Sequence, residues 1–401
     1  MKIVAIAWRY LWSRPLAAAL NLLLLALGLA AITFVLLTSR QIDRNFERDL
    51  AGIDLVVGAK GSPIQLILAG VFHIDVPSGN IPLAEVQKLQ AHPQVAKLIP
   101  LSLGDTFKGF RLVGTSPAYV LHYAAALAQG AMWTRSMQAV IGHQVAQQTG
   151  LTVGSAFAGS HGLGGTGHTH GDNPYQVSGI LAPCACVLDR LILTATESVW
   201  KVHEDATVAD ASDRAVLEAE REVTMALITY KSPMAAVSMP RFINTTTDMQ
   251  AAAPAIEITR LLRMVGVGTD VLRGFGAVLL LTAGLSVFIA LWNAVRERRA
   301  DLAMLRMLGA SPQKVAGLVL CEALLLALLA VALGLLMGHS LTALVGYWLQ
   351  AERSLVLTGW LWLAEEWWVL ALGVAVATVA ALLPALNAYR MDVTTLLNSR
   401  A

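Results

Sequence analysis

RRADLAMLRMLGASPQKVAGLVLCEALLLALLAVALG, residues 298–334, joins a short basic segment to a long apolar one. The basic segment places leucines at helical spacing and ends at Gly309, which predicts a short amphipathic helix with a glycine cap. Ser311 and Pro312 follow, a pair typical of a new helix start. The new helix is long enough to cross a membrane and carries one carboxylate, Glu322, near its beginning. The stretch therefore predicts a short helix outside the bilayer that leads directly into a membrane-spanning helix.

The composition of the whole chain agrees with a membrane protein. Of 401 residues, 56% are hydrophobic and only 14% are charged. Soluble domains average about 25% charged residues, so part of this chain is expected in lipid. A crossing needs about 20 apolar residues. Four stretches qualify, namely 16–38, 275–295, 315–348 and 367–388.

A globular domain is expected between the first and second spans. Segments such as VAKLIPLSL, FKGFRLVGT and MALITY have the pattern of strands, and IPLAEVQKLQ has that of a helix. The region is long enough for its own core, and we expect two subdomains in it. It holds slightly more acidic than basic residues, which argues against nucleic-acid binding. The predicted fold class is an α-helical membrane protein with four transmembrane helices plus a large extracytoplasmic α+β domain between the first and second.

This reading divides the chain into three parts. The parts are an amphipathic lead-in with the first span (1–40), the α+β domain with a helical stalk (41–270), and the second to fourth spans (271–401), which include the short helix at about 296–310.

The basic residues orient the chain, because cytoplasmic loops are enriched in Lys and Arg. Such residues precede the first span, dominate the loop between the second and third, and follow the fourth. Both termini are therefore expected in the cytoplasm and the large domain outside it. The first span could instead be a signal peptide. It exceeds the usual length and no convincing cleavage site follows, so we favour an uncleaved anchor.

The three cysteines do not form a disulfide framework. Cys321 lies in the third span. Cys184 and Cys186 are two residues apart, which in a strand places both side chains on one side. We expect a disulfide between them to be strained.

Four segments together resemble one family of transporters. They are residues 298–326, ALLPALNAYRMDVTTLLN (381–398), AVIGHQVAQQTGLTVGSAF (139–157) and YQVSGILAPCACVLDRLILT (175–194). With one span, a large domain and then three spans, the chain resembles the FtsX-like (MacB-type) ABC transporter permeases, in a LolC/LolE-like architecture. The resemblance implies a multi-pass protein of the bacterial inner membrane whose large domain is periplasmic.

The resemblance also implies partners. A second permease copy or a homologue would complete a dimer, and a cytoplasmic ABC ATPase would bind ATP and Mg²⁺. No G-x-x-x-x-G-K-[ST] occurs in the sequence, so we expect that ATPase to be a separate subunit and this chain to be non-catalytic, with no cofactor bound directly. Further expected partners are membrane lipid and a periplasmic adaptor or lipoprotein.

In this family the short helix between the second and third spans would be the coupling helix, which docks on the ATPase. The residues expected at that docking surface are Arg298, Arg299, Leu302, Leu305, Arg306, Leu308 and Gly309. Composition alone leaves an alternative, a basic helix that rests on anionic lipid.

Glu322 lies about two turns into the third span. A charge at that depth is costly unless it is paired or close to the interface. We expect Glu322 to be a structural partner for a nearby arginine or helix end. A proton or substrate relay is the alternative. His339, in the same span, is expected to be a packing or interface residue.

A histidine-rich loop, GSHGLGGTGHTHGDNPY (159–175), is the candidate metal site. Its possible ligands are His161, His168, His170 and Asp172, and zinc is the first candidate. A solvated glycine-rich loop is the alternative that we favour. The loop also matches G-x-G-x-x-G, but these glycines do not open a helix, so a dinucleotide site is excluded. No G-x-S-x-G supports a serine hydrolase.

The favoured function is a permease subunit that transmits ATP-driven motion to its periplasmic domain and acts on a lipoprotein, lipid, peptide or drug. Two alternatives stay open. One is an extracytoplasmic membrane module that binds or senses zinc, and the other is a regulator of a cell-wall hydrolase.

Overall fold

The computed structural model describes residues 3–161, 173–204, 217–218, 220–351 and 357–391. The chain forms two compact units. We call Met1–Ile42 together with Val265–Ala401 the membrane unit, and Asp43–Met264 the outer unit.

The helices of the described residues follow one another in chain order. They are α1 (Ile3–Leu11), α2 (Pro15–Leu50), α3 (Pro63–Gly70), α4 (Leu83–Gln90), α5 (Ala118–His122), α6 (His143–Thr149), α7 (Thr196–Glu204), α8 (Ala235–Thr246), α9 (Pro254–Glu297), α10 (Arg299–Met307), α11 (Pro312–Ala351) and α12 (Glu366–Tyr389).

The strands all lie in the outer unit. They are β1 (Leu55–Ala59), β2 (Ile81–Pro82), β3 (Val95–Phe107), β4 (Phe110–Thr115), β5 (Leu127–Gly130), β6 (Gln138–Ile141), β7 (Ala156–Phe157), β8 (Ser160–His161), β9 (Tyr175–Leu181), β10 (Leu191–Ala195), β11 (Glu222–Val223), β12 (Met225–Tyr230) and β13 (Met249–Ala252).

Four of the described helices, α2, α9, α11 and α12, are long and apolar enough to cross a membrane. The predicted fold class is therefore confirmed: four candidate membrane helices, with a mixed α and β domain between the first and the second. Although α9 contains five glycines, at 266, 268, 274, 276 and 284, it is one helix of 44 residues. A glycine costs a helix only about 1 kcal/mol, which the apolar remainder of α9 outweighs.

Small residues let α2 and α11 approach closely. Gly334 and Gly338 are four residues apart on α11 and face α2. A side-chain carbon added at Gly334 would lie 2.8 Å from the Leu29 Cβ, and one at Gly338 would lie 2.7 Å from the Thr33 Cβ. This small-xxx-small pattern is a common way to pack membrane helices, because lipid gives them no hydrophobic reason to associate.

The outer unit is built on one mixed sheet. Its strand order is β13-β1-β12-β3-β4-β10-β6-β9-β5, with β7 paired to β9 and β8 to β3. Most neighbours are antiparallel, but β10 pairs with β4 and β6 pairs with β9 in parallel. The β3–β4 hairpin turns at Lys108 and Gly109, both with positive φ, which is the turn that matches the twist of a sheet.

Apolar residues cover both faces of this sheet. Along β1, Val56 belongs to one core cluster and its neighbours Leu55 and Val57 belong to another, as expected when side chains alternate. One cluster runs along the first face, and two clusters share the second. The sheet is continuous across all three clusters, and the division of the domain into two subdomains stays a prediction.

The structure corrects the expectation for the cysteines of the outer unit. Cys184 and Cys186 form a disulfide, with their Cα atoms 5.1 Å apart. They lie in a turn between β9 and a 3₁₀ helix (Val187–Arg190), and not in a strand. Ala185 between them has a φ of 53°. The two side chains meet across this left-handed turn, so the expectation that they lie in a strand is wrong.

Candidate coupling site

The short helix α10 ends in a glycine cap. Gly309 has a φ of 93°, a left-handed conformation that favours glycine. Its N–H donates to the Arg306 carbonyl, and the Ala310 N–H donates to the Leu305 carbonyl, each over 3.0 Å. These two bonds make a Schellman motif, which satisfies the last carbonyls of the helix. Only residues 308–311 separate the end of α10 at Met307 from the start of α11 at Pro312, so the connection to this membrane helix is short.

One side of α10 packs into the membrane unit. Leu302 is only 2% exposed and belongs to the apolar core of that unit, and the partly buried Leu305 packs against the same core. Both leucines were expected at the docking surface, and the structure corrects this. Helical spacing predicts that the two leucines share one face of α10, but it does not say whether that face is exposed. Here that face packs against the other membrane helices.

The opposite side of α10 carries a different apolar set. Met304 is 56% exposed, Met307 57% and Leu308 80%. The charged side chains of Arg299 and Asp301 are exposed on the same helix. We call these five residues the exposed α10 surface. Three large apolar side chains open to solvent at one short helix are typical of an interaction site.

Arg298 lies at the junction of α9 and α10 and points inward, not toward the docking surface where it was expected. Its Nη1 lies 3.4 Å from the Glu322 carboxylate, and its Nη2 donates to the Tyr10 carbonyl over 2.8 Å. Nη2 also donates to the Ser13 hydroxyl, and the guanidinium lies 4.5 Å above the Tyr10 ring. Glu322 therefore has the arginine partner that we expected of a structural carboxylate. Arg298 holds α10 to α1, α11 and the turn between α1 and α2.

Two further arginines secure this end of the membrane unit. The Arg306 guanidinium donates to the carbonyl of Met391, just after α12, so Arg306 is a structural contact and not a free docking residue. Arg14, before α2, pairs with Glu297 at the end of α9. Of the residues expected at the docking surface, Arg299, Leu308 and Gly309 are exposed.

The other end of the membrane unit is held by His339 and Glu366. The Glu366 carboxylate, on α12, is buried and lies 2.9 Å from His339 Nε2. The second oxygen of Glu366 accepts the Leu363 N–H over 2.8 Å, and His339 Nδ1 lies 2.6 Å from the Gly359 carbonyl. The Trp362 ring stacks on the His339 ring. The segment before α12 is thereby folded against α11.

The amide of Gln41 joins α2 to the same segment. Its nitrogen donates to the Thr358 carbonyl over 3.0 Å, and its oxygen accepts the Thr358 N–H over 2.8 Å. Arg40 pairs with Glu365 at 2.9 Å. This end of the unit is therefore closed by short, mutually satisfied hydrogen bonds.

The proposed metal loop lies outside the described residues for the most part. His168, His170 and Asp172 fall in that gap, and His161 is described only as part of β8, paired with β3 at Asp105. Within the described ranges, no group of three or more His, Cys, Asp or Glu side chains is arranged to hold a metal ion. The zinc site stays a prediction.

Two family models match the chain. The FtsX-like permease C-terminal model covers residues 273–393, which include α10 and its cap. The MacB-like periplasmic core domain model covers residues 18–229, more than half of the chain. The chain therefore belongs to the FtsX-like and MacB-like family of ABC transporter permeases.

Individual relatives are more distant. The pyoverdine export ATP-binding/permease protein PvdT of Pseudomonas putida is 23% identical over 377 residues, covering 84% of this chain. The chain spans about half of that relative, 52% of its length.

Two solved structures also match. They are the periplasmic region of MacB from Actinobacillus actinomycetemcomitans (11% identity, 53% of this chain and 95% of that one, TM-score 0.35) and the extracellular domain of the transporter YknZ from Gram-positive bacteria (12%, 50% and 98%, TM-score 0.31).

Sequence reasoning found α10 but not all of its exposed residues. Leucine spacing does not predict Met304 and Met307, because the leucines mark the covered face of α10. Methionine is common on adaptable binding surfaces. The two methionines are therefore the sequence signal for the outward face. Met304 and Met307 lie on that face, and Leu302 and Leu305 lie on the inward one.

Proposed function

We propose that this chain is the permease subunit of an ABC transporter whose ATPase is a separate cytoplasmic protein, and that it transmits ATP-driven motion to its periplasmic domain. The observation that carries the proposal is the exposed α10 surface, which presents the apolar side chains of Met304, Met307 and Leu308 although α10 is anchored on its other side. The positive-inside distribution of Lys and Arg supports a location of this surface, and of both termini, on the cytoplasmic side of the inner membrane.

The contacts of α10 support transmission of a displacement from α10 to α11. Leu302 fixes the helix to the apolar core, Arg298 fixes its beginning to α1 and α11, and Arg306 fixes its last turn to Met391. The end of α10 leads into α11 through the Gly309 cap. A partner that displaces the exposed α10 surface would therefore move α11 with it, since only the capped turn of residues 308–311 lies between them.

The cargo belongs to the same proposal. We expect a lipoprotein, lipid, peptide or drug, handled at the periplasmic side by a dimer of this chain with itself or a homologue, with or without an adaptor. The relative named for pyoverdine export supports an outward direction of transport. In this proposal the chain binds no cofactor itself, and ATP and Mg²⁺ belong to the ATPase.

Site-specific photo-crosslinking in cells tests the docking role. A photoreactive amino acid would replace Leu308, and separately Trp360, which is 95% exposed in the segment between α11 and α12 and serves as the matched control. We expect the probe at position 308 to capture a protein that contains an ABC ATPase sequence, and the probe at 360 not to. Capture of lipid alone at both positions would contradict the proposal and favour a helix that rests on the membrane.

A further inference from the structure

A cavity opens among the membrane helices at the end of the bundle that carries α10. It has a volume of about 180 Å³ and lies between α1, α2, α9 and α11. A cavity of about 10–15 Å³ already holds one water molecule, so this one has room for a polar group of several atoms. Its polar lining consists of Tyr10, Arg14, Asn21, Asn293, Arg298 and Glu322.

One side of the cavity is lined by small residues, Ala17 and Ala18 on α2 and Ala290 and Ala294 on α9. Ala17 is also exposed, so the cavity reaches the surface of the membrane unit beside it, and we call that opening the entrance. A molecule in the membrane could therefore place a polar head in the cavity while its apolar chains stay in the bilayer.

The charges of the lining suit a group with both signs. Arg14, which also pairs with Glu297, and Arg298 are cationic, and Glu322 is anionic. Basic pockets between helices near the membrane surface are known to suit phosphate-bearing head groups. A carboxylate inside such a pocket repels a purely anionic head group and favours one that also carries a positive charge.

Glu322 is incompletely satisfied. Its side chain is 10% exposed, and its two oxygens lie 3.5 and 3.4 Å from Arg298 Nη1. A well-formed charged hydrogen bond measures about 2.7–2.9 Å. Arg298 is displaced toward Tyr10 and Ser13, which take its other nitrogen. The carboxylate thus retains capacity for an N–H donor from the cavity.

We propose that this cavity binds the head group of a phospholipid that carries a primary ammonium, such as phosphatidylethanolamine. The ammonium donates to Glu322, the phosphate contacts Arg14, and the acyl chains leave between the alanines of α2 and α9. A trimethylated head group has no N–H to donate, and a glycerol head group adds no positive charge for Glu322. The site is distinct from the exposed α10 surface and does not depend on an ATPase.

Lipid retention by the full-length protein tests the proposal. The protein would be reconstituted in vesicles of equal parts dioleoyl phosphatidylethanolamine, phosphatidylcholine and phosphatidylglycerol, extracted in mild detergent, and its bound lipids counted by native mass spectrometry. We expect phosphatidylethanolamine to be enriched, and Glu322→Gln to reduce that enrichment at least about threefold through the loss of a charged hydrogen bond. The control Glu365→Gln, outside the cavity, should retain it.

A second variant separates lipid binding from a folding defect. Ala17→Leu fills the entrance without removing a charge and should also abolish the enrichment, while the elution volume and melting temperature of the protein stay unchanged. Equal retention of the three lipids, preference for phosphatidylglycerol, or enrichment that survives in both variants would overturn the proposal.

Discussion

The two ends of the membrane unit each contain a carboxylate in a membrane helix, but they hold it differently. Glu366 makes short hydrogen bonds to His339 and to the Leu363 N–H, at 2.9 and 2.8 Å, and is 1% exposed. Glu322 makes only contacts of 3.4 and 3.5 Å to Arg298 and borders a cavity. At the Glu366 end, both carboxylate oxygens have short hydrogen bonds. At the end where α10 meets the bundle, the Glu322 carboxylate has only long contacts.

This difference assigns different mechanical roles to the two ends. A buried charge with complete partners fixes one geometry, because any displacement leaves a polar group unpaired in a low dielectric. A charge with long contacts can shift at lower cost. We infer that motion entering through α10 is accommodated around Glu322, while the Glu366 end keeps α11, α12 and their connecting segment together.

The largest predicted effect compares the two carboxylates directly. Glu366→Ala should lower the free energy of unfolding by about 4 kcal/mol, since it leaves His339 and the Leu363 N–H without their acceptor. Glu322→Ala should cost about 1 kcal/mol, because Arg298 keeps its bonds to Tyr10 and Ser13. Denaturant unfolding of the purified protein in one detergent measures both. Equal losses of unfolding free energy in the two variants would mean that Glu322 and Glu366 are held equally firmly, which would contradict the comparison of the two ends.

The next effect lies within α10. Leu302→Ala should cost about 3 kcal/mol, as expected when a buried leucine is truncated in a packed core. Leu308→Ala should change stability by less than about 0.5 kcal/mol, because that side chain is already exposed. The same unfolding experiment applies. A large loss of unfolding free energy from Leu308→Ala would mean that the Leu308 side chain packs in the fold. Leu308 would then not belong to the exposed α10 surface.

The smallest effect concerns the cap between α10 and α11. Gly309→Ala should cost about 1 kcal/mol, because alanine is strained at a φ of 93°. Gly317→Ala is the matched control within α11, where an added Cβ meets nothing within 4 Å. It should be neutral or stabilising by up to about 1 kcal/mol. Equal changes in the free energy of unfolding in the two variants would mean that the left-handed cap does not stabilise the connection between α10 and α11.

Much of this fold follows from local sequence. The four spans, the strand pattern of the outer unit and the helix that ends at Gly309 depend on apolar periodicity and on glycine and proline positions, which neighbours in sequence determine. The Cys184–Cys186 disulfide did not follow, because it depends on the left-handed conformation of Ala185, a residue type that rarely adopts it.

The candidate site was predicted only in part. The position of α10 is local, but which of its faces is covered depends on helices far away in sequence. Arg298 and Glu322 are 24 residues apart, and His339 and Glu366 are 27 apart, so only tertiary packing pairs them. The amphipathic pattern therefore located the helix correctly and assigned Leu302 and Leu305 to the wrong side.

The central claim is that the exposed α10 surface receives the ATPase. Its most direct measurement is the dissociation constant between the purified full-length protein and the ATPase captured by the crosslink at position 308. Leu308→Asp should weaken binding about tenfold or more, as loss of a central apolar contact does, while Glu365→Gln leaves it unchanged and both variants keep the unfolding midpoint of the parent. Unaltered affinity in Leu308→Asp would contradict the account.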